Sequence, residues 1–236
     1  MQKHFIPGTN CSIFSFKDKF SFGIDAILLS NFVNIKSNKK LIDIGAGTGI
    51  VGFRINCLNV VDELFLIEIQ KDMAKLIEKS ISFNCFKNVK LINEDLKNTY
   101  DFFENSSIDY IVSNPPYKKI DTGILNDDKN FLISRYEYSL KLCDILEFSY
   151  KKLKSNGKVF LIYSMERLVD VFYQARKYKL EPKRIQFVCS NYFKKPHLFM
   201  VELVKNAKEN LFVEDTIFIY DKDNNYTKKI KEIYYG

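Results

Sequence analysis

Residues 40–49 read KLIDIGAGTG, an apolar run that passes into three alternating glycines. The apolar run predicts a buried strand, and the glycines permit a tight turn in which a ligand can approach the backbone closely. Helical periodicity resumes at Ile50, so the turn places backbone N–H groups at a helix N-terminus. A strand, a glycine turn and a helix in this order predict a loop that binds a nucleoside-containing cofactor.

Strand-like and helix-like segments alternate on both sides of this loop. The predicted strands are residues 40–44, 64–69, 89–92, 108–113, 159–163, 185–189 and 198–204. The predicted helices are residues 26–33, 50–58, 71–86, 136–153 and 165–178. Because nearly all-apolar strands alternate with helices, the sequence predicts the α/β class, with a seven-stranded, mostly parallel sheet and helices on both faces. Ligands of such sheets bind beyond the carboxyl ends of the strands.

The composition is that of a folded globular protein. Of 236 residues, 46% are hydrophobic and 28% charged, with only 9 Gly and 5 Pro. No apolar stretch approaches the roughly 18 residues that a membrane span needs, and the N-terminus lacks a signal-peptide core. Neither a repeat nor a long linker is present. We therefore expect one domain over residues 1–236, in a cytoplasmic, monomeric protein without an obligate protein partner.

Cysteine and histidine usage argues against several kinds of site. The 5 cysteines lie at least 28 residues apart, so no CxxC pattern exists, and their odd number disfavours a disulfide framework. Only His4 and His197 are available as imidazole ligands or bases. We therefore expect reduced thiols, no metal ion and no Ser-His-Asp triad.

The net charge of +7 is unevenly distributed. Residues 1–40 carry 6 basic and 2 acidic side chains, residues 41–117 carry 7 and 11, and residues 118–236 carry 23 and 16. An acidic middle between basic ends fits a core that holds a small cofactor, with outer parts that face a polyanion. The alternative is a lysine-rich but simply solvated surface.

Two patterns compete for the glycine loop. Residues 47–52 satisfy GxGxxG, but a dinucleotide fingerprint would then begin two residues into the turn and leave Gly45 without a role. Asp43 favours a cofactor without a pyrophosphate, because its carboxylate repels phosphates and can pair with an ammonium group. These features indicate S-adenosylmethionine.

Acidic residues also lie at the end of the second predicted strand and just after the third. Glu68 is placed to accept hydrogen bonds from ribose hydroxyls, although it can also pair with Lys71. Asp95 can accept a hydrogen bond from an adenine amino group, with Ile69 and Leu96 against the ring faces. Asp95 can equally be a helix cap.

Residues 114–117 read NPPY directly after the fourth predicted strand. Two successive prolines fix the backbone and supply no N–H, so the turn presents carbonyl oxygens as acceptors. If the Asn114 side-chain oxygen and the Pro115 carbonyl accept the two N–H groups of an amino or amide nitrogen, its lone pair is turned toward a methyl sulfonium. Tyr117 offers a ring for stacking a flat substrate. The alternative is a purely structural rigid turn, formed by Pro115 and Pro116.

Further segments carry a family resemblance. They are residues 20–29 (FSFGIDAILL), 68–70 (EIQ), 95–97 (DLK), 135–137 (RYE), 180–184 (LEPKR) and 233–236 (IYYG). Together with the glycine loop and the NPPY motif, they resemble the bacterial tRNA1(Val) (adenine-37-N6)-methyltransferase family over nearly the whole chain. Residues 191–197 (NYFKKPH) depart from that pattern.

The resemblance implies a Rossmann-like class I methyltransferase fold and methylation of N6 of the adenine beside the anticodon of a valine tRNA. It implies a cofactor-closing segment in residues 1–40 and a tail, residues 205–236, packed on the domain. Catalytic roles fall on Asn114, Pro115, Pro116 and Tyr117. Cofactor contacts are expected at Asp43, Gly45, Gly47, Glu68, Ile69, Asp95, Leu96 and Asn114, with Phe22 and Asp25 closing the pocket.

Lysines near the motif and near the C-terminal strands are candidate RNA phosphate contacts. They are Lys118, Lys119, Lys194 and Lys195, each of which is individually well explained as a solvated surface lysine.

Other function classes use part of the same pattern. A protein-glutamine methyltransferase acting on a release factor would use NPPY on an amide nitrogen, but such enzymes carry a helical N-terminal domain, and only 42 residues precede Asp43. A cofactor-dependent RNA-binding module would show the same basic flanks without needing Asn114 or Tyr117. An NAD-dependent dehydrogenase would bind a dinucleotide at the glycine loop.

Overall fold

A computed structural model describes residues 1–16, 22–116 and 140–235. A hairpin of β1 and β2 precedes a large sheet. The strands are β1 (Gln2–Phe5), β2 (Ser12–Ser15), β3 (Lys40–Ile44), β4 (Glu63–Ile67), β5 (Val89–Ile92), β6 (Ile108–Ser113), β7 (Leu153–Ser164), β8 (Leu180–Cys189), β9 (Leu198–Lys205), β10 (Phe212–Val213) and β11 (Ile217–Phe218). The helices are α1 (Ile24–Phe32), α2 (Ile50–Leu58), α3 (Lys71–Phe83), α4 (Leu142–Lys152), α5 (Leu168–Lys177) and α6 (Lys228–Tyr235).

The large sheet confirms the predicted α/β class. Its strand order is β10-β8-β9-β7-β6-β3-β4-β5, with β11 also paired to β8. All pairs are parallel except those of β9, which is antiparallel to both β7 and β8. All seven predicted strands are present. Among the described residues the sheet has nine strands, because two-residue strands from the C-terminal part of the chain add to β8, and such short strands leave no periodic signal.

Helix boundaries differ from the prediction mainly where local caps intervene. α2 has the predicted bounds, whereas α3 ends at Phe83 because the Asn84 side chain donates to the Ser80 carbonyl and Cys85 has a positive φ of 54°. The predicted helix 165–178 begins as a 3₁₀ turn, Met165–Arg167. Within residues 1–16, 22–116 and 140–235, no helix combines the length and apolarity that crossing a bilayer requires.

Two hydrophobic cores lie on opposite faces of the sheet. Along β7, Phe160 and Ile162 join the core covered by α1, α2, α3 and α6, while Val159 and Leu161 join the core covered by α4 and α5. Successive residues of a strand point to opposite faces, so each buried strand contributes to both cores. This double coverage explains why the strand sequences are apolar throughout.

Parallel register brings several strand ends to one edge. Ile44 of β3 is paired with Ile67 of β4, and Asp43 is paired with Val112 of β6. The Ser113 hydroxyl donates to the Ile44 carbonyl at 2.7 Å, which joins the ends of β3 and β6. The segments that follow these strands therefore start side by side.

A buried arginine connects the two ends of the chain to this framework. Arg54 of α2 is 2% exposed, and its guanidinium donates to the Pro7 carbonyl at 2.9 Å, the Ser30 hydroxyl at 3.1 Å and the Ile233 carbonyl at 2.7 Å. Ile233 lies in the last turn of α6, where unpaired carbonyls and the helix dipole favour a cation. Arg54 thus joins the N-terminal hairpin region, α1 and α6.

Candidate active site

The glycine turn after β3 is fastened to β4. The Gly45 and Ala46 N–H groups both donate to the Ile67 carbonyl, at 2.9 and 3.0 Å, and the Gly47 N–H donates to Glu68 Oε2 at 2.7 Å. Gly47 has a φ of +57°, a left-handed conformation that residues with a side chain rarely adopt. The turn therefore depends on glycine at this position to reach the Glu68 carboxylate.

Glu68 is held in place by backbone donors from two segments. Besides Gly47, the Gln70 N–H donates to Oε1 at 2.8 Å and the Gln70 side chain does so at 3.2 Å. Burial raises the pKa of the Glu68 carboxyl, while these hydrogen bonds oppose that rise. Both residues are described, and Glu68 forms no ion pair with Lys71. The carboxylate is thus fixed at the turn.

A small cavity lies beside the turn and contains the three residues predicted to surround an adenine ring. Its lining is Ile44, Gly45, Ile67, Ile69, Glu94, Asp95, Leu96 and Leu140. Ile69 is 43% exposed, which leaves its apolar side chain accessible to a ring. Asp95 also caps the 3₁₀ turn Leu96–Asn98, because its Oδ1 accepts from the Lys97 N–H at 2.9 Å. The capping alternative is therefore realised and is compatible with a second hydrogen bond to a ligand.

Asp43 is buried against the first turn of α2. It is 1% exposed, and its Oδ2 accepts from the Gly52 N–H at 2.8 Å. A Cβ at Gly52 would lie 3.0 Å from Oδ2 and 2.6 Å from the Leu66 side chain, so only glycine allows this approach. Burial raises the pKa of Asp43 to about 7, and the charge of Glu68 adds to the rise. Sequence reasoning gave Gly52 no role, although it closes the GxGxxG pattern.

Asn114 follows β6 and contacts the start of α1. Its Nδ2 donates to Asp25 Oδ2 at 3.1 Å, across 89 residues of sequence. An ionised carboxylate can only accept, so it must face the amide nitrogen, and this fixes which side of the amide carries Oδ1. Pro115 is buried. Tyr117, Lys118 and Lys119 lie outside the described residues.

A cleft of about 400 Å³ opens beside Pro116. Its charged lining includes Arg167, whose guanidinium lies 5.8 Å from the centre of the Tyr163 ring and whose Nε is 3.1 Å from Asp170 Oδ2. Leu140 lines both this cleft and the small cavity, so the two spaces are neighbours. No sequence signal distinguished Leu140 or Arg167.

Phe22, Lys194 and Lys195 take no part in the hydrogen bonds that hold the glycine turn. Phe22 is half-buried, packs against the core that contains α1, and meets the His4 ring edge-on at 6.4 Å. Lys194 and Lys195 are exposed in the segment between β8 and β9. Across the described ranges, no group of three or more His, Cys, Asp or Glu side chains is arranged to hold a metal ion.

Comparison with known proteins identifies the family of this chain and proteins that it resembles. Residues 9–133 match the family model described as methyltransferase small domain. Two proteins named tRNA1(Val) (adenine(37)-N6)-methyltransferase are similar in sequence. The one from Haemophilus influenzae is 24% identical, and the match covers 89% of this chain and 88% of the relative. The one from Parabacteroides distasonis is 29% identical, and the match covers 77% of this chain and 75% of the relative. The fold is similar to that of a crystal structure described as a predicted O-methyltransferase from Agrobacterium tumefaciens, with a TM-score of 0.72 and 15% sequence identity. The match covers 89% of this chain and 94% of the other.

The raised pKa of Asp43 predicts how stability depends on pH. A carboxyl whose folded-state pKa, about 7, exceeds its unfolded value of 3.8 favours the folded state when protonated, so that contribution is lost as pH rises from about 4 to 7. We expect Asp43→Asn, which keeps an acceptor for Gly52, to be more stable than the unaltered protein at pH 8 by about 1 to 3 kcal/mol. Urea denaturation at pH 5 and pH 8 measures this difference.

The same substitution separates stability from binding. If Asp43 pairs with a cofactor ammonium group, Asp43→Asn binds S-adenosylmethionine more weakly in spite of its greater stability. Equal destabilisation at both pH values would contradict a buried carboxyl with a raised pKa.

Proposed function

Because the chain belongs to the methyltransferase small domain family, we propose that it methylates the exocyclic N6 of an adenine in tRNA, with S-adenosylmethionine as the methyl donor. The observation that carries this proposal is the position of Asn114. Asn114 directly follows β6, and its amide nitrogen donates to Asp25 of α1. β6 pairs with β3, the strand that leads into the glycine turn. We infer that Asn114 serves as an acceptor for an amino group at the same edge of the sheet as the nucleoside pocket.

The residues present fit S-adenosylmethionine. Glu68 Oε2 accepts one hydrogen bond from Gly47 and keeps a lone pair for a ribose hydroxyl, and Asp95 and the apolar cavity suit an adenine ring. Gly47 leaves open space for close backbone approach, whereas the Leu140 side chain lies against Gly45. Asp43 supplies a carboxylate near the turn, and Phe22 and Asp25 close the pocket from the N-terminal side. When bound, S-adenosylmethionine supplies a methyl group activated by the positive charge of its sulfur.

Asn114 and Pro115 act on the target nitrogen. The lone pair of an adenine amino group is delocalised into the ring, which makes N6 a poor nucleophile. When Asn114 Oδ1 and the Pro115 carbonyl accept its two N–H groups, the nitrogen is drawn toward tetrahedral geometry and its developing positive charge meets fixed dipoles. Pro116 keeps the turn rigid, and Tyr117 stacks on the adenine. The methylated nitrogen then loses one proton, which needs no dedicated base.

The substrate we propose is adenine 37 beside the anticodon of a valine tRNA, after the relatives from H. influenzae and P. distasonis that bear this name. An unpaired loop adenine suits such a site, because its extraction costs less than extraction from a duplex. Lys118, Lys119, Lys194 and Lys195 are the proposed phosphate contacts. We propose a single cytoplasmic domain of residues 1–236 that acts as a monomer, with residues 205–236 packed on the core through contacts such as Arg54 to Ile233.

Transfer of a labelled methyl group tests the proposal. The protein is incubated with methyl-labelled S-adenosylmethionine and, separately, with unmodified valine tRNA transcript, bulk tRNA or a release factor, followed by digestion and mass spectrometry. We expect N6-methyladenine in the valine tRNA, and a loss of about 10²- to 10³-fold in kcat for Asn114→Ala, since a preorganised acceptor is removed.

Each other outcome has a distinct meaning. Label on a glutamine of the release factor would assign the protein to the protein-modifying class instead. Tight binding of S-adenosylmethionine without transfer to any RNA would contradict the proposed reaction.

Asp25 is predicted to be a positioning residue for Asn114. Asp25→Ala frees the amide to rotate, so we expect kcat at saturating tRNA and cofactor to fall by about 10- to 100-fold, the loss of one charge-assisted hydrogen bond. Asp25→Asn can hold the amide in either orientation and should give an intermediate kcat. Unchanged kcat in both variants would show that the contact does not orient Asn114.

A further inference from the structure

The loop between β8 and β9, residues 190–197, lies at the same edge of the sheet as Asn114. β9 is antiparallel to both β7 and β8, so β8 runs in the same direction as β7 and β6. The 190–197 loop therefore starts at the edge where β6 ends. The Met165 N–H donates to the His197 carbonyl at 3.0 Å, which connects the loop to the 3₁₀ turn that carries Arg167 of the cleft.

The 190–197 loop is held by a hydrogen bond and a ring stack, and it exposes one aromatic ring, that of Phe193. The Phe193 N–H donates to Asn191 Oδ1 at 3.0 Å, and the Tyr192 ring stacks on Phe218 of β11 with centroids 4.2 Å apart. Phe193 itself is 82% exposed, and among the described residues its ring has no aromatic partner. Lys194 and Lys195 follow it and are also exposed. The loop presents an apolar ring and two ammonium groups outward together.

This combination has the chemistry of a contact for unpaired RNA. A base stacks on an aromatic ring whatever its identity, while adjacent lysines neutralise the phosphates on either side. Paired lysines beside the ring disfavour a purely apolar partner, since docking would remove their charges from water without compensation. The loop's position at the rim of the active-site edge puts it within reach of nucleotides that flank an adenine held at Asn114.

We propose that Phe193 stacks on a base of the RNA substrate other than the methylated adenine, and that Lys194 and Lys195 contact the neighbouring phosphates. This inference rests on the proposed function and extends it to substrate recognition. The ring acts in binding only, so it affects the KM for RNA and leaves the chemistry at N6 unchanged. The stack of Tyr192 on Phe218 holds the loop against β11.

Matched substitutions of exposed residues test this contact. The full chain is assayed with valine tRNA transcript for KM and kcat, and with labelled tRNA for Kd at several salt concentrations. We expect Phe193→Ala to raise the KM for tRNA by about 5- to 100-fold with kcat unchanged, and Phe193→Trp to restore the value. Phe212→Ala is the control, since Phe212 is 64% exposed but pairs with Arg184 in the first half of β8, away from the active-site edge.

The salt dependence of tRNA binding tests the contacts of Lys194 and Lys195. The double substitution Lys194→Ala with Lys195→Ala should weaken binding and make the dependence of log Kd on log salt shallower by about 1 to 1.5. Lys208→Ala should not, because Lys208 is exposed just after the carboxyl end of β9, which is antiparallel to β7 and β8 and therefore ends at the opposite edge of the sheet. If Phe193→Ala methylates tRNA with the same KM and kcat as the unaltered protein, the stacking inference is overturned, while the proposed function stands. Absence of methylation by the unaltered protein would instead overturn the proposed function.

Discussion

Parallel pairing of β3 with β4 and β6 is the constraint on which the rest of the site depends. Because Ile44 is paired with Ile67 and Asp43 with Val112, the glycine turn, Glu68 and Asn114 begin at adjacent points on one edge of the sheet. Short hydrogen bonds then complete the arrangement, with Gly47 donating to Glu68 and Ser113 to the Ile44 carbonyl. The glycine turn, Glu68 and Asn114 belong to three segments that are far apart in the sequence, so a sheet in another register would not assemble the site.

Buried polar groups give the edge its specificity at a cost in stability. Asp43 and Glu68 are removed from water, and burial raises the pKa of both carboxyls. Backbone N–H groups from Gly52, Gly47 and Gln70 offset part of that cost. Under the proposed function, a cofactor ammonium group at Asp43 and ribose hydroxyls at Glu68 supply the remaining compensation.

Local sequence signals predicted the fold and the residues at strand ends, while contacts distant in sequence could not be predicted. The apolar run and glycines of residues 40–49 and the exact bounds of α2 follow from short-range pattern. The contact of Asp25 with Asn114 and the three acceptors of Arg54 come from segments far apart in the chain, which no periodicity connects. Gly52 was missed because its role, close approach to Asp43, appears only once α2 packs on β3.

A crystal structure with S-adenosylhomocysteine and an RNA stem-loop carrying the target adenine tests the central claim most directly. The account predicts the adenine extruded from the loop, with N6 within about 3 Å of both Asn114 Oδ1 and the Pro115 carbonyl, and with the Asp25 contact to Asn114 retained. An adenine bound elsewhere, or Asn114 turned away from N6 to bind only the cofactor, would contradict the assignment of Asn114 and Pro115 as the groups that activate the nitrogen.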